Sequence, residues 1–299
     1  MQAKRMPKNG TIGIFCPSHV AEVERYAPAV ATIERLGFKV RFGENVYKDT
    51  YGYVASAEER AADVNALVAD ENVHMIMFGG GIGAVDVLPL IDYDNITRNP
   101  KLFCSYSDGT SILNAIHAQT GLITHYGICA SDFSDLRHYD YTQFYSHFVE
   151  GYEVKQFVSD CKWRTLNGGS CEGILIGGFS LLFGLMLSNT YFNYDKNKKY
   201  LLFLEDYEKY TTVGQTNTFL EFIGQSAFMR NVTGLIFGHY SNNVPTELFS
   251  CLERFGGKHK IPVVYTDDFG HGTRHAIFPI GVNAKLNADS QTLIFRNYS

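Results

Sequence analysis

The chain has 299 residues, with 26 Lys and Arg against 31 Asp and Glu, and its net charge of −5 is spread without long runs of one sign. No basic stripe is available to neutralise a phosphate backbone, so nucleic acid is not an expected partner and a small molecule or peptide fits better. Hydrophobic residues at 45% and aromatics at 14% supply a sizeable core, more naturally two domains than one, and no apolar run is long enough to span a bilayer or form a signal-peptide core, so a soluble cytoplasmic protein with no membrane partner is expected.

In chain order, "TIGIFCP" is a short apolar strand ended by Pro17, and the helix after it reaches Leu36 before Gly37 stops it. "FKVRF" is the next strand. "SAEERAADVNALVADEN" opens with Ser56 and Glu59 in capping-box spacing and sets Val64, Leu67 and Val68 on one helical stripe. "VHMIMF" then runs straight into "GGGIGA". Residues 102–104 read as a strand and residues 110–119 as a helix, with Gly121 just past its end. This β-α-β-α rhythm predicts a mostly parallel sheet with helices on its faces, whose sites form beyond the carboxyl ends of the strands. Residues 131–170, rich in Tyr, Phe and Asp, read as an interlobe crossover with one helix over residues 142–150. It separates an α/β lobe at 1–130 from a second at 171–299, where apolar runs resume at "GILIGGFSLLFGLML", "YLLFLED", "TGLIFGHY" and "IPVVYTDDFGHG". The tail alternates like a β-hairpin turning at residues 287–290. Six scattered cysteines, Cys16, Cys104, Cys129, Cys161, Cys171 and Cys251, show no C-x-x-C pair or zinc-ligand spacing and are expected to be reduced, mostly buried thiols.

Four stretches could carry chemistry. In "SYSDG" Ser107 stands at a strand-to-helix turn flanked two residues away by the small Ser105 and Gly109, a relaxed relative of G-x-S-x-G, with a helix N-terminus able to stabilise an oxyanion. The alternative is that Ser107 or Asp108 caps the helix. "FGGGIGA" offers either backbone N–H groups to an anion or acyl oxygen, or a tight turn and nothing more. "LLFLED" ends an apolar strand on Glu205 and Asp206, which is either a carboxylate facing a cleft or ordinary strand-end polarity. "VVYTDDFGHG" sets His271 between Gly270 and Gly272. His275 follows at i, i+4, but the glycines argue against a helix, so a metal site is not expected. The order Ser…Glu…His is one that hydrolases use for nucleophile, orienting carboxylate and general base.

These pieces, with "IGIFCPS", "NPKLFCSYSD", "TGLITHYG", "EGILIGG" and "PIGVNAKLNADSQTLIF", resemble the LD-carboxypeptidase family of serine peptidases, which also contains the microcin C self-immunity peptidases. The resemblance covers most of the chain, and "YSD", "LED" and "GHG" in that order are its specific part. It implies Ser107 as nucleophile, His271 as general base and later acid, and Glu205 as the group that orients His271. It also implies an oxyanion hole from the backbone N–H groups of Asp108 and of the Gly80–Gly81 turn. The implied fold is an N-terminal flavodoxin-like lobe and a C-terminal α/β lobe with a β-rich tail, the triad assembled across the cleft, commonly as a homodimer, with no metal or cofactor. Murein-cleaving members usually carry Arg-Gly-Gly-Tyr-Gly where this chain has Gly79-Gly80-Gly81-Ile82-Gly83. They carry a Pro in the segment after Gly127, where this chain reads Ile128-Cys129, and an Asn where it has Phe179.

The expected activity is therefore amide hydrolysis by a serine-type carboxypeptidase acting on a murein peptide or on a peptidyl-nucleotide of the microcin C kind. The alternative is a non-catalytic ligand-binding protein on the same fold. A terminal carboxylate suits a bidentate Arg, for which Arg274 and Arg98 are candidates. Trp163, the only tryptophan, either stacks on a flat group such as a nucleobase or packs within the protein.

Overall fold

The computed structural model describes residues 1–151 and 156–296; residues 152–155, part of the expected crossover, lie outside the described residues. The chain divides into two compact units, Met1–Gly151 and Tyr152–Ser299.

The first unit contains β1 (Thr11–Ile14), α1 (Val23–Arg35), β2 (Lys39–Phe42), α2 (Ala57–Ala69), β3 (Val73–Met77), α3 (Tyr93–Arg98), β4 (Leu102–Ser105), α4 (Gly109–Thr120), β5 (Thr124–Tyr126) and α5 (His138–Phe144). Its strands lie in the order β2-β1-β3-β4-β5, every neighbouring pair parallel. That is the flavodoxin-like order, in which chain direction across the sheet reverses between β1 and β3, so the loops after those two strands diverge and leave a crevice. β3 and β4 are apolar and buried along nearly their whole length, as strands covered on both faces must be. Ser56 and Glu59 form the expected capping box at the start of α2, and α4 ends on Gly121 in the left-handed conformation at φ +70°. The helix expected over residues 142–150 is instead α5 followed by a π-helical stretch at Tyr145–Gly151. Phe144 and Phe148 anchor it, with edge-on contacts from Phe144 to Phe38 and Phe133 and from Phe148 to His125; aromatic packing, which has no sequence period, sets those bounds.

The second unit holds β6 (Arg164–Asn167), β7 (Ser170–Phe179), α6 (Ser180–Met186), β8 (Tyr200–Glu205), α7 (Val213–Gln225), β9 (Val232–His239), α8 (Thr246–His259), β10 (Val263–Gly270), β11 (Phe278–Ile280), β12 (Asn283–Asn287) and β13 (Thr292–Arg296). Its seven-stranded sheet runs β13-β12-β7-β8-β9-β10-β6. The four central strands are parallel and the outer ones antiparallel, so the β12–β13 hairpin is the β-rich tail. The run "GILIGGFSLLFGLML" is strand and helix in succession, changing at Phe179–Ser180. Gly177 permits this close strand packing, since a Cβ there would collide with the carbonyl oxygen of Phe203. All six cysteines are free thiols. No helix among the described residues is long and apolar enough to cross a membrane.

Candidate active site

In the first unit the loops after β1, β3 and β4 converge on Ser107. The residue has φ +58°, a left-handed backbone that costs an L-residue with a side chain roughly 1–2 kcal/mol and persists only where surrounding structure imposes it. The backbone N–H of Ser107 donates to the Tyr126 hydroxyl at 2.9 Å, and its carbonyl accepts from the Thr110 N–H at 3.0 Å and the Thr110 hydroxyl at 2.6 Å. Gly109 must be glycine, because a Cβ there would run into the Ser105 side chain, which donates to the Phe78 carbonyl. The small residues flanking Ser107 are thus required by the sharpness of the turn.

Gly80 lies directly against the serine: a Cβ on it would sit 2.6 Å from Ser107 Cβ and 2.9 Å from its Oγ, with the Asp108 backbone nitrogen at 3.7 Å. Gly81, at φ +151°, leaves no room for a Cβ beside the Ser18 carbonyl. The backbone at Gly80 and at Asp108 therefore comes together with Ser107, with Gly81 next to them against Ser18. Asp108 does not cap α4 with its side chain. Its carboxylate accepts instead from the Ser18 hydroxyl at 2.7 Å and the Ala84 N–H at 2.8 Å, and burial raises its pKa against those hydrogen bonds. His19 lies beside Gly79 and bonds the Tyr26 hydroxyl; burial, with the Arg25 charge, pushes its pKa down to about 4, so the ring is neutral at pH 7.

In the second unit, β8 carries Glu205 to its carboxyl end and β10 delivers His271 just beyond its own. His271 Nδ1 is 2.8 Å from Glu205 Oε2, the imidazole N–H donating to a fully buried carboxylate. Gly270, at φ +104°, passes so close that a Cβ would lie 3.0 Å from that same oxygen. Burial opposes a charge on His271, but the Glu205 charge and hydrogen bond outweigh it and raise the pKa above 6.5. Three aromatic rings surround the imidazole: Tyr207 stacks on it at 5.3 Å, while Phe179 and Tyr210 meet it edge-on at 5.6 and 5.4 Å.

The remaining candidates sit apart from this dyad in their bonding. Arg274 Nε donates to Asp160 at 3.0 Å, and Arg98 is exposed in the last turn of α3. Trp163 is 3% exposed; its indole N–H donates to Asp268 at 2.7 Å and its ring packs on Phe157. Among the described residues no cluster of His, Cys, Asp and Glu could hold a metal ion.

Two further groups have contacts that the sequence does not reveal. Asp206 is fully buried, bonded to Ser180 through Oδ2, and its Oδ1 has no hydrogen-bond partner among the described residues. His239 Nδ1 lies 2.7 Å from Asp267, which also accepts from the Tyr265 hydroxyl at 2.8 Å. Asp206 was at least visible as the second carboxylate of "LED"; nothing local marks the approach of His239 to Asp267.

Residues 12–127 match the LD-carboxypeptidase N-terminal domain and residues 172–286 the LD-carboxypeptidase C-terminal domain. A protein of Treponema pallidum (strain Nichols) named as a carboxypeptidase is 30% identical over 288 residues, covering 88% of this chain and 85% of its own. One of Bacillus subtilis (strain 168), named as a murein peptide carboxypeptidase, is 28% identical, covering 97% and 93%. Among solved structures, an MccF-like protein from Bacillus anthracis str. Ames has a TM-score of 0.88 at 25% identity, over 99% of this chain and 98% of that one. The microcin C7 self-immunity protein MccF in complex with aspartyl sulfamoyl adenosine has a TM-score of 0.87 at 24% identity, over 99% and 98%. The chain belongs to the LD-carboxypeptidase family and is a peptidase on the two-domain α/β fold of that family.

Proposed function

We infer that the protein is a serine-type carboxypeptidase that hydrolyses a peptide amide with Ser107 as nucleophile, His271 as general base and acid, and Glu205 orienting the imidazole. The observation that carries this reading is the left-handed backbone at Ser107, strain of a kind that concentrates at functional sites. The His271–Glu205 bond supports it, because a carboxylate on Nδ1 leaves Nε2 as the atom that accepts a proton.

Ser107 Oγ attacks the amide carbonyl as His271 Nε2 takes its proton, and the tetrahedral oxyanion is met by the backbone N–H groups of Asp108 and the Gly80–Gly81 turn. His271 then gives the proton to the leaving amine, and water resolves the acyl-enzyme by the same route. General base work of this kind contributes on the order of 10²- to 10⁴-fold, and each oxyanion donor about 3 kcal/mol. Arg274, its Nε held by Asp160, is assigned to the substrate's terminal carboxylate; Trp163, buried against Phe157 with its indole N–H on Asp268, is assigned to packing within the protein rather than to a flat substrate group.

The substrate class is a small peptide, with the murein peptide named for the Bacillus subtilis relative as the first reading. Peptidyl-nucleotide cleavage is the second, favoured by the aminoacyl-nucleoside analogue that MccF binds. We assign the working form as a cytoplasmic homodimer, in keeping with six unpaired thiols; sedimentation at micromolar concentration checks the dimer. Incubation with a murein tetrapeptide and, separately, with a peptidyl-adenylate, followed by mass spectrometry, is expected to show loss of one residue or cleavage of the nucleotide-linked amide. Ser107→Ala and His271→Ala are each expected to abolish nearly all turnover, while Glu205→Gln keeps more. Comparable turnover by purified Ser107→Ala would refute the assignment.

A further inference from the structure

Arg60 is the most deeply buried cation of the chain's first unit, 1% exposed, and no step of the reaction uses it. It rises from the first turn of α2, a helix whose start is held by the Ser56–Glu59 capping box. Its guanidinium spends its donors almost entirely on backbone carbonyls. Nε donates to the Ala55 carbonyl at 2.8 Å, and Nη1 donates to the Pro17 carbonyl at 2.5 Å and to the Gly83 carbonyl at 3.0 Å. Nη2 completes the set on Asp86 at 2.7 Å. Pro17 lies in the loop after β1 and Gly83 at the end of the glycine loop after β3, so one side chain joins the two segments that diverge at the reversal of the sheet.

Two other bridges join the same segments. The Ile82 N–H donates to the Ser18 carbonyl at 3.1 Å, and the Asp108 carboxylate takes the Ser18 hydroxyl and the Ala84 N–H together. Gly80 and Gly81 lie between the end of β3 and these fastenings at Ile82, Gly83 and Ala84; they have no side chains to pack and would otherwise be the freest backbone in the loop. An oxyanion donor works only if it is already aimed before charge develops, within about half an ångström of its productive place. Glycine backbone cannot hold such an aim unaided. A planar guanidinium with five N–H donors can span two carbonyls and a carboxylate at once, whereas an ammonium offers three donors from one point.

We propose that Arg60 is the positioning residue of the oxyanion-binding turn: by bonding the carbonyls of Pro17 and Gly83 together it holds the Gly80–Gly81 backbone against Ser107. The proposal rests on the serine-peptidase reading above. Arg60 touches no reacting atom; its effect passes through the loop it fastens.

The test uses the full chain and a fluorophosphonate, whose P=O oxygen occupies an oxyanion hole as Ser107 displaces fluoride and forms a phosphonyl ester. The rate constant and the final labelled fraction are both recorded for the unaltered protein, Arg60→Met, Arg60→Lys and Ser107→Ala. A loss of packing alone lowers the fraction of molecules labelled and leaves the rate constant of the folded fraction unchanged. Positioning predicts the opposite: a rate constant lowered 10- to 100-fold in Arg60→Met and 3- to 10-fold in Arg60→Lys, with the labelled fraction near that of the unaltered protein. If Arg60→Met does not fold, Arg60→Lys decides. An Arg60→Lys rate constant within twofold of the unaltered protein overturns the proposal and leaves the peptidase reading standing. Equal labelling of the unaltered protein and Ser107→Ala overturns both.

Discussion

Ser107, the nucleophile of the proposed mechanism, has a backbone that only glycine adopts at little cost. Alanine at 107 keeps the left-handed strain while glycine relieves it, so Ser107→Gly is expected to exceed Ser107→Ala in stability by about 1 kcal/mol, read as a higher urea midpoint, with both inactive. That difference isolates the strain held at the turn. His271 makes a second prediction at the same scale. Its pKa is raised above 6.5, burial opposing and Glu205 favouring the charged form, and in its proposed role of general base it works only when neutral. kcat/KM should therefore rise with pH along a limb whose midpoint lies above 6.5, and Glu205→Gln should move that midpoint to lower pH because the opposing charge is gone. A limb that stays in place in Glu205→Gln counts against Glu205 as the source of the shift.

At the scale of elements, strand ends do the placing. β4 stops at Ser105 and α4 starts at Gly109, leaving three residues to reverse direction, and this short span puts Ser107 into its unusual conformation. The loop after β3 then comes in with no side chain at Gly80. Gly80→Ala places a Cβ 2.6 Å from Ser107 Cβ, so either the serine or the loop must shift; the expected result is a fall in kcat of at least tenfold with KM changed far less. Much of this was legible in advance. The apolar runs, the capping box at Ser56 and Glu59, the stop at Gly121 and the strand-to-helix turn at Ser107 are local signals, decided by neighbours in sequence. The reading of Asp108 as a helix cap was local too, and it fails because the carboxylate finds better partners in Ser18 and Ala84, the former 90 residues away in the chain.

Stability against pH belongs to the whole molecule, and Asp206 gives it a definite slope. Burial, with the Glu205 charge adding to it, raises the Asp206 pKa from 3.8 to about 7. The folded state thus holds this proton more tightly than the unfolded chain does. Its contribution is fully present below pH 3.8 and is lost as pH rises towards 7, amounting to on the order of 4 kcal/mol across that window. Asp206→Asn removes the titration, so denaturation measured from pH 4 to 8 should show a flatter profile and a more stable protein at the alkaline end. A variant less stable at pH 8 than the unaltered protein would contradict this account.

What the sequence by itself determined is the succession of strands and helices, the parallel α/β class, and the residue types waiting at strand ends: Ser107, the Gly80–Gly81 turn, Glu205 and His271. Those follow from hydrophobic period and turn chemistry, which act over a few residues. Only the tertiary structure decided that Arg60 fastens Pro17 to Gly83, that Asp108 serves two loops rather than a helix end, and that His271 lies among Phe179, Tyr207 and Tyr210 with its Nδ1 on Glu205. Each of these joins residues tens of positions apart, and a hydrogen bond or ring contact between distant segments leaves no periodic trace in the chain that makes it.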